Sequence, residues 1–405
     1  MRSDPESPYA WLRLSAALAL MTLGGSGMYA IAVALAPVQA EFGITRADAS
    51  LPYTLTMLGF GVGGILMGRL SDRFGVMVPT IIGAIGLGTG FVLAGNAQTL
   101  WQFSLAHGIL VGLLGCSATF APLVADTALW FNRRRGIAVA ICASGNYLAG
   151  AVWPPILQYG FDTIGWRDTY IGTGIFCTAA MLVLAFALRQ RPPAIEIPSG
   201  GNRVLENARP LGLSPNSLTA LLAIAGIGCC VAMSMPQVHI VAYCSDLGYG
   251  ATNGAQMLSI MLAFGIVSRL VSGWICDRIG GLRTLLLGSV LQGIALFLFL
   301  PFNGLVSLYV VSAMFGLFQG GIVPAYAIIV REYFPPREAG VRTGIVLMAT
   351  LFGMALGGWV SGLIFDLTGS YHAAFINGIG WNLLNLTIAL WLLRLSSRAP
   401  RVAPA

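Results

Sequence analysis

Twelve apolar runs, each long enough to cross a bilayer, constrain this chain more than any other feature. They cover residues 12–37, 49–68, 78–94, 101–129, 136–159, 169–188, 217–243, 252–275, 284–300, 305–330, 339–365 and 373–393. About 17–25 apolar residues form a spanning helix, because the hydrocarbon core offers no water to satisfy backbone amides. Composition points the same way. Hydrophobic residues make up 57% of the chain and charged residues 9%, about a third of the share usual in globular proteins. So few charges could not cover a soluble fold of 405 residues, so the apolar faces meet lipid. The expected fold class is all-α, with twelve transmembrane helices. The first run is too long and starts too late for a secretory signal, and no A-x-A site follows it. It is expected to stay in the mature protein.

All 22 basic residues are arginine. Nineteen collect on one side of the membrane, among them Arg2, Arg13, Arg69, Arg73, Arg133, Arg134, Arg135, Arg191, Arg203, Arg209, Arg278, Arg337, Arg398 and Arg401. Arg46 and Arg167 fall on the other side, and Arg269 lies inside the eighth run. The positive-inside rule then puts both termini and the linker after the sixth run in the cytoplasm. A net charge of +7 raises the question of nucleic acid. The arginines are scattered singly or in short groups, with no basic stripe interleaved with aromatics, so no nucleic-acid partner is expected.

The chain reads as two related halves. The stretch 189–216 is polar, rich in Pro, Gly and Arg, and without helical periodicity, so it is expected to link a six-helix half at 1–188 to another at 217–405. Gly68-x-x-x-Asp72-Arg73-x-Gly75 recurs as Gly273-x-x-x-Asp277-Arg278-x-Gly280. Trp130-Phe131 recurs as Tyr333-Phe334, Pro122 as Pro324, and Phe161-Asp162 as Phe365-Asp366. Parallel repeats of this kind mark transporters whose halves rock about a site near the midplane.

The paired G-x-x-x-D-R-x-G loops resemble the signature loop of the major facilitator superfamily. Within it, Trp130-Phe-Asn-Arg-Arg-Arg-Gly-Ile-Ala138, running on to Ala143-Ser-Gly145, is similar to the helix 4–5 signature of the monocarboxylate-porter family. Val238 to Gly248, Ser268-Arg269 and the stretch from Gly316 through Asn385 also resemble bacterial members, which implies a bacterial inner membrane. The resemblance implies the major facilitator fold, a carboxylate substrate, and Arg269 as the anchor for the substrate anion. Three departures matter. Eukaryotic members carry an aspartate one turn before the arginine, where this chain has Gly265. Many members use a lysine in the first helix, and the oxalate–formate exchangers use one in the eleventh. This chain has no lysine. A single cationic anchor favours a monoanion, and proton coupling is left without its usual residues.

The residues themselves support a similar list. Asp72, Arg73 and Asp126 lie near the arginine-rich face, and Asp277, Arg278 and Glu332 repeat them. They are expected to form two ion clusters that lock the halves in one orientation and break in the other. Arg269 is placed near the end of the eighth run and leans toward the midplane, because helical side chains lean toward the N-terminus. Its neighbours Gly265, Ser268, Ser272 and Gly273 are small or polar, and the repeat has Gly64 in its place. A carboxylate would supply the partner that a guanidinium in a dry cavity needs. His239 is read either as a proton carrier or second cation in the site, or as a packing histidine. Asn146, Tyr147, Gln319, Tyr326 and Tyr29 are candidates for lining the site or for interhelical hydrogen bonds. His107, Asn382 and Asn385 read as packing residues, and His372 as a loop residue.

The seven cysteines form no C-x-x-C pair, and there is no nucleotide loop or H-E-x-x-H motif. No metal or other cofactor is expected, nor an enzyme activity. The sequence predicts a secondary transporter for a small monocarboxylate, most simply a monomer with proton symport. Organic-anion exchange is the alternative, followed by export of a drug or neutral metabolite. The run from Ala143 to Pro155 lacks the exporters' G-P-x-x-G-G pattern, and short termini leave no room for a sensor domain.

Overall fold

The computed structural model describes residues 6–131, 133–190 and 210–398. Arg2, Arg191, Arg203, Arg209, Arg401 and most of the expected 189–216 linker lie outside the described residues, as do the side chains of Arg337 and Arg398. Twelve helices are long and apolar enough to span a membrane. They are α1 (Pro8–Phe42), α2 (Arg46–Phe74), α3 (Met77–Gly95), α4 (Leu100–Trp130), α5 (Arg135–Ile164) and α6 (Trp166–Leu188). The second set is α7 (Pro215–Asp246), α8 (Ala251–Ile279), α9 (Gly281–Leu298), α10 (Leu305–Tyr333), α11 (Glu338–Thr368) and α12 (Tyr371–Ser397). Most helices outrun the apolar segments that predict them, because polar turns at their ends stay helical.

Large apolar side chains remain exposed on outward faces, such as Ile175 and Val183 on α6, Phe297 on α9 and Leu383 on α12. In water such surfaces would drive association; here they face lipid. The repeated loops end their helices in the same way. Gly75 and Gly280 adopt φ of 85° and 83°, a region that disfavours side chains. Each amide donates back into its helix, Gly75 to Ser71 and Gly280 to Cys276. Glycine also sets helix contacts inside each half. A Cβ on Gly59 of α2 would come within 2.1 Å of the Gly108 carbonyl oxygen of α4, and one on Gly316 of α10 within 1.8 Å of the Met261 oxygen of α8.

The halves meet along α2 with α11, α5 with α8, and α1 with α7. On the face opposite the arginines this contact is tied by charge. The Asp366 carboxylate, at the end of α11, accepts from the backbone amides of Arg46 at 2.8 Å and Ala47 at 2.7 Å. These are the first two residues of α2, where unpaired amides and the helix dipole attract an anion. The Arg46 side chain reaches back across the contact, donating to Asp246 at 3.2 Å and to the Tyr371 hydroxyl at 2.9 Å, with its guanidinium over Phe365. The repeat-related Asp162 sits at the start of α8 and accepts from Thr252 at 3.2 Å. The Phe-Asp dipeptide of each half therefore meets the first turn of a helix in the other.

At the arginine-rich face, by contrast, the recorded polar contacts of Asp126, Glu332 and Arg342 each stay within one half. Losing the charged cap at α2 costs about 0.5–2 kcal/mol, a 2- to 30-fold shift between closed and open forms. Asp366→Ala should therefore open the face opposite the arginines. Spin labels at Gln98→Cys and Asn303→Cys, both exposed on that face, should show a longer-distance population that is absent from the parent protein.

Candidate functional site: a cavity between the halves

Tied on one face and untied on the other, the halves enclose a cavity of about 330 Å³. Its walls come from α1, α2, α4, α5, α7, α8, α10 and α11. It extends toward the arginine-rich face, reaching Ile65 on α2 and Gly344 on α11. Those residues lie nine and six positions from the helix ends at Phe74 and Glu338, or ~13 and ~9 Å along the axes.

Arg269 lines this cavity. Because α8 continues to Ile279, Arg269 lies ten residues from its end, or ~15 Å. That is deeper than the apolar run suggests, since the helix absorbs the Asp277-Arg278 motif. Nη1 donates to the Ala143 carbonyl of α5 at 2.8 Å, and the guanidinium stacks 4.4 Å from the centre of the Tyr147 ring. Nε is buried with no hydrogen-bond partner. Among the described residues no carboxylate pairs with Arg269. Of the small residues beside it, three meet neighbouring helices. Ser268 and Ser272 pack on Gly320 and Gly321 of α10, which lets that helix approach, while Gly265 meets Tyr147. Gly64, the repeat-related position, lines the same cavity.

Tyr29, Asn146 and Tyr147 also line the cavity, bringing three of the predicted neutral groups together with Arg269. Three other candidates do not line it. Tyr326 is fully buried and donates to Asn385 of α12 at 2.8 Å, an interhelical bond. Gln319 is buried where α10 breaks between Leu305–Gln319 and Ile322–Tyr333, and its amide atoms have no partner. His239 is fully buried beside the Arg46–Asp366 tie instead. Its Nε2 lies 2.8 Å from the Gly358 carbonyl and its Nδ1 3.1 Å from the Tyr371 hydroxyl. Helix α7 continues through Pro236, three residues before His239, to Asp246. His107 packs among Phe91, Phe103 and Tyr170, and Asn382 and Asn385 bond to Ser289 of α9.

The expected ion clusters are not assembled in this conformation. Asp126 pairs with Arg13 of α1 through two bonds of 2.8 and 2.9 Å, not with Arg73. Both partners are buried, and Arg13 lies nearer because α1 packs on the inner part of α4. Glu332 accepts from the Gly281 amide at 2.9 Å and so caps α9. Asp72, Arg73, Asp277 and Arg278 are exposed and make no ion pair among the described residues; the arginines lie over Phe74 and Trp274.

Sequence reasoning missed most of the cavity wall. Gln237 on α7 lines it, as do Met28, Met57, Met233, Met348 and Met354. Apolar residues within apolar runs give no local signal of which face they take. It also missed the tie of Arg46, Asp366 and Tyr371, although the repeated Phe-Asp pair pointed to Asp366.

The sequence profile of the Major Facilitator Superfamily matches residues 16–307 and 270–405. Monocarboxylate transporter 13 of Rattus norvegicus is 27% identical over 332 residues, covering 81% of this chain and 75% of that protein. Monocarboxylate transporter 11 of Homo sapiens is 25% identical over 389 residues, 92% of this chain and 80% of that protein. In fold, the chain is similar to a bacterial homologue of the human lysosomal transporter Spinster in an inward-facing, occupied conformation. The TM-score is 0.73 at 15% identity, covering 99% of this chain and 100% of the other. With twelve spans, two repeated halves and a cavity between them, this chain is an integral membrane transporter and belongs to the Major Facilitator Superfamily.

Proposed function

We propose that the protein is a secondary carrier of a monocarboxylate, with Arg269 holding the carboxylate and the halves alternating about it. The observation that carries this reading is the guanidinium itself. It lines an otherwise mostly apolar cavity with a buried Nε unpaired and no acid beside it. Arginine cannot shed its proton, and a charge without a partner at this depth is costly. A carboxylate from solution supplies both the charge and the planar acceptor pair that a guanidinium fits. The curated relatives named as monocarboxylate transporters support the same substrate class. Gly64 at the related position means one cation in the cavity, which suits a monoanion better than a dianion. The positive-inside rule puts the arginine-rich face and both termini in the cytoplasm, so this conformation is inward-facing. The exposed Asp72, Arg73, Asp277 and Arg278 are then inner gate charges in their released state.

We further propose proton symport, with His239 as the proton-sensing group although it sits outside the cavity. The Gly358 carbonyl can only accept, so Nε2 carries a hydrogen. The Tyr371 oxygen accepts from Arg46, and its own hydrogen points to Nδ1. This orders the chain Arg46 to Tyr371 to His239 to Gly358 around a neutral imidazole. A proton on Nδ1 would leave the tyrosine hydrogen without that acceptor and put a second cation beside Arg46. Protonation from outside therefore loosens the outer tie, in which Asp246 and Asp366 also take part.

Two variants test these readings. Arg269→Gln should lower monocarboxylate uptake by about 30- to 1,000-fold, the 2–4 kcal/mol expected for a lost charged pair, with normal expression. Uptake at parental rates would remove Arg269 from the site. His239→Gln should flatten the dependence of uptake on external pH while still permitting exchange of substrate across the membrane. An unchanged pH profile would exclude His239 from coupling.

A further inference from the structure

We infer that the carried acid has a bulky apolar body, branched or aromatic, and is not a two- or three-carbon acid. This inference rests on the reading of Arg269 as the carboxylate anchor. The cavity's polar groups are concentrated on one side. Tyr29, Asn146, Tyr147 and Arg269 belong to α1, α5 and α8, which pack together. The facing wall is formed by α2, α7 and α11, also packed together, and presents Met57, Phe60, Met233, Met348, Leu351 and Met354, with Gln237 as its one polar side chain. A ligand tied by its carboxylate to Arg269 must therefore lay the rest of itself against thioethers and a phenyl ring.

Size points the same way. About 330 Å³ falls in the range that encloses drug-sized ligands, about 300–1,000 Å³, and is roughly ten times the volume of one liquid water. An acid of six heavy atoms would leave much of that space to water lying on apolar surface, and would gain nothing from the facing wall. A body that reaches the wall gains about fourfold in affinity for each buried methylene. The wall's chemistry adds a further feature. Methionine is unbranched and polarizable, so it reshapes around different partners and makes favourable contacts with aromatic rings. The site is strict about the carboxylate and tolerant about what is attached to it.

The test is a binding ladder on the full-length protein in detergent and in proteoliposomes. Straight-chain monocarboxylates from two to eight carbons, phenylacetate and 3-phenylpropionate are compared with the carboxamide of each. The expected result is an affinity that rises about fourfold per methylene from three to six carbons, with the aromatic acids at or above the six-carbon acid and the amides failing to bind. Met233→Asn and Met354→Asn should flatten this slope, lowering the affinity for the six-carbon and aromatic acids more than that for propionate. Acids that bind better than their amides with no dependence on length, or best at two or three carbons, would overturn the bulky-body inference alone. Acids and amides that bind equally would overturn the carboxylate reading beneath it.

Discussion

The architecture depends on a carboxylate placed at the start of a helix in the opposite half. Asp366 accepts from the first two amides of α2, and Arg46 extends from that same turn to Asp246 and Tyr371. Each bond alone is modest, but they share one small region at which two large rigid bodies touch. Closing that end while the other stays untied is what gives the cavity its shape and direction. The interaction is also easy to undo, because the amides and the carboxylate are all near the membrane surface, where water can replace each bond. A contact that must break in every transport cycle cannot be much stronger.

The repeat explains why two such contacts exist. Asp162 and Asp366 occupy equivalent positions, and so do the first turns of α8 and α2 that they meet. An internal twofold relation turns one favourable contact into two without further design. The same relation ends α2 and α8 at Gly75 and Gly280 with nearly equal backbone angles. Symmetric residues thus end helices and close contacts in the same way in both halves. Asymmetric residues have a different use. Arg269 faces the cavity from one half and Gly64 from the other, so the charge makes the two sides of the cavity unequal.

Much of this was legible in the sequence, for physical reasons that differ by residue. The twelve spans follow from hydropathy because lipid imposes one rule on every backbone amide. Arg269 stands out because an ionised group deep in an apolar run has few explanations. Tyr326 and Tyr29 show the limit. Each is a tyrosine within a long apolar helix, yet one bonds to Asn385 and the other lines the cavity. The difference lies in rotation about the helix axis, which is set by tertiary packing and leaves little mark where every face is apolar. The methionine wall was hidden for the same reason. Asp126 failed differently, since its nearest cation, Arg13, belongs to α1 and lies 113 positions away in the sequence.

The separation of His239 from Arg269 bears on how coupling could work. A proton carrier inside the cavity would compete with the substrate for space and field. A histidine in the tie, as proposed for His239, would instead act on the equilibrium between the two open forms. Its protonation is then linked to substrate binding only through conformation, and linkage of that kind is reciprocal. A substrate that favours closure of the outer face must equally favour loss of the proton there once that face has closed. The proton leaves the tie by whatever path the reoriented protein offers, and the ordered chain from Arg46 to Gly358 re-forms only around the neutral ring. This arrangement needs no lysine and no acid beside the arginine. Under that proposal the residues that resembling proteins place in the cavity can be absent without loss of a route for coupling, because the task would fall to the contact that holds the halves together.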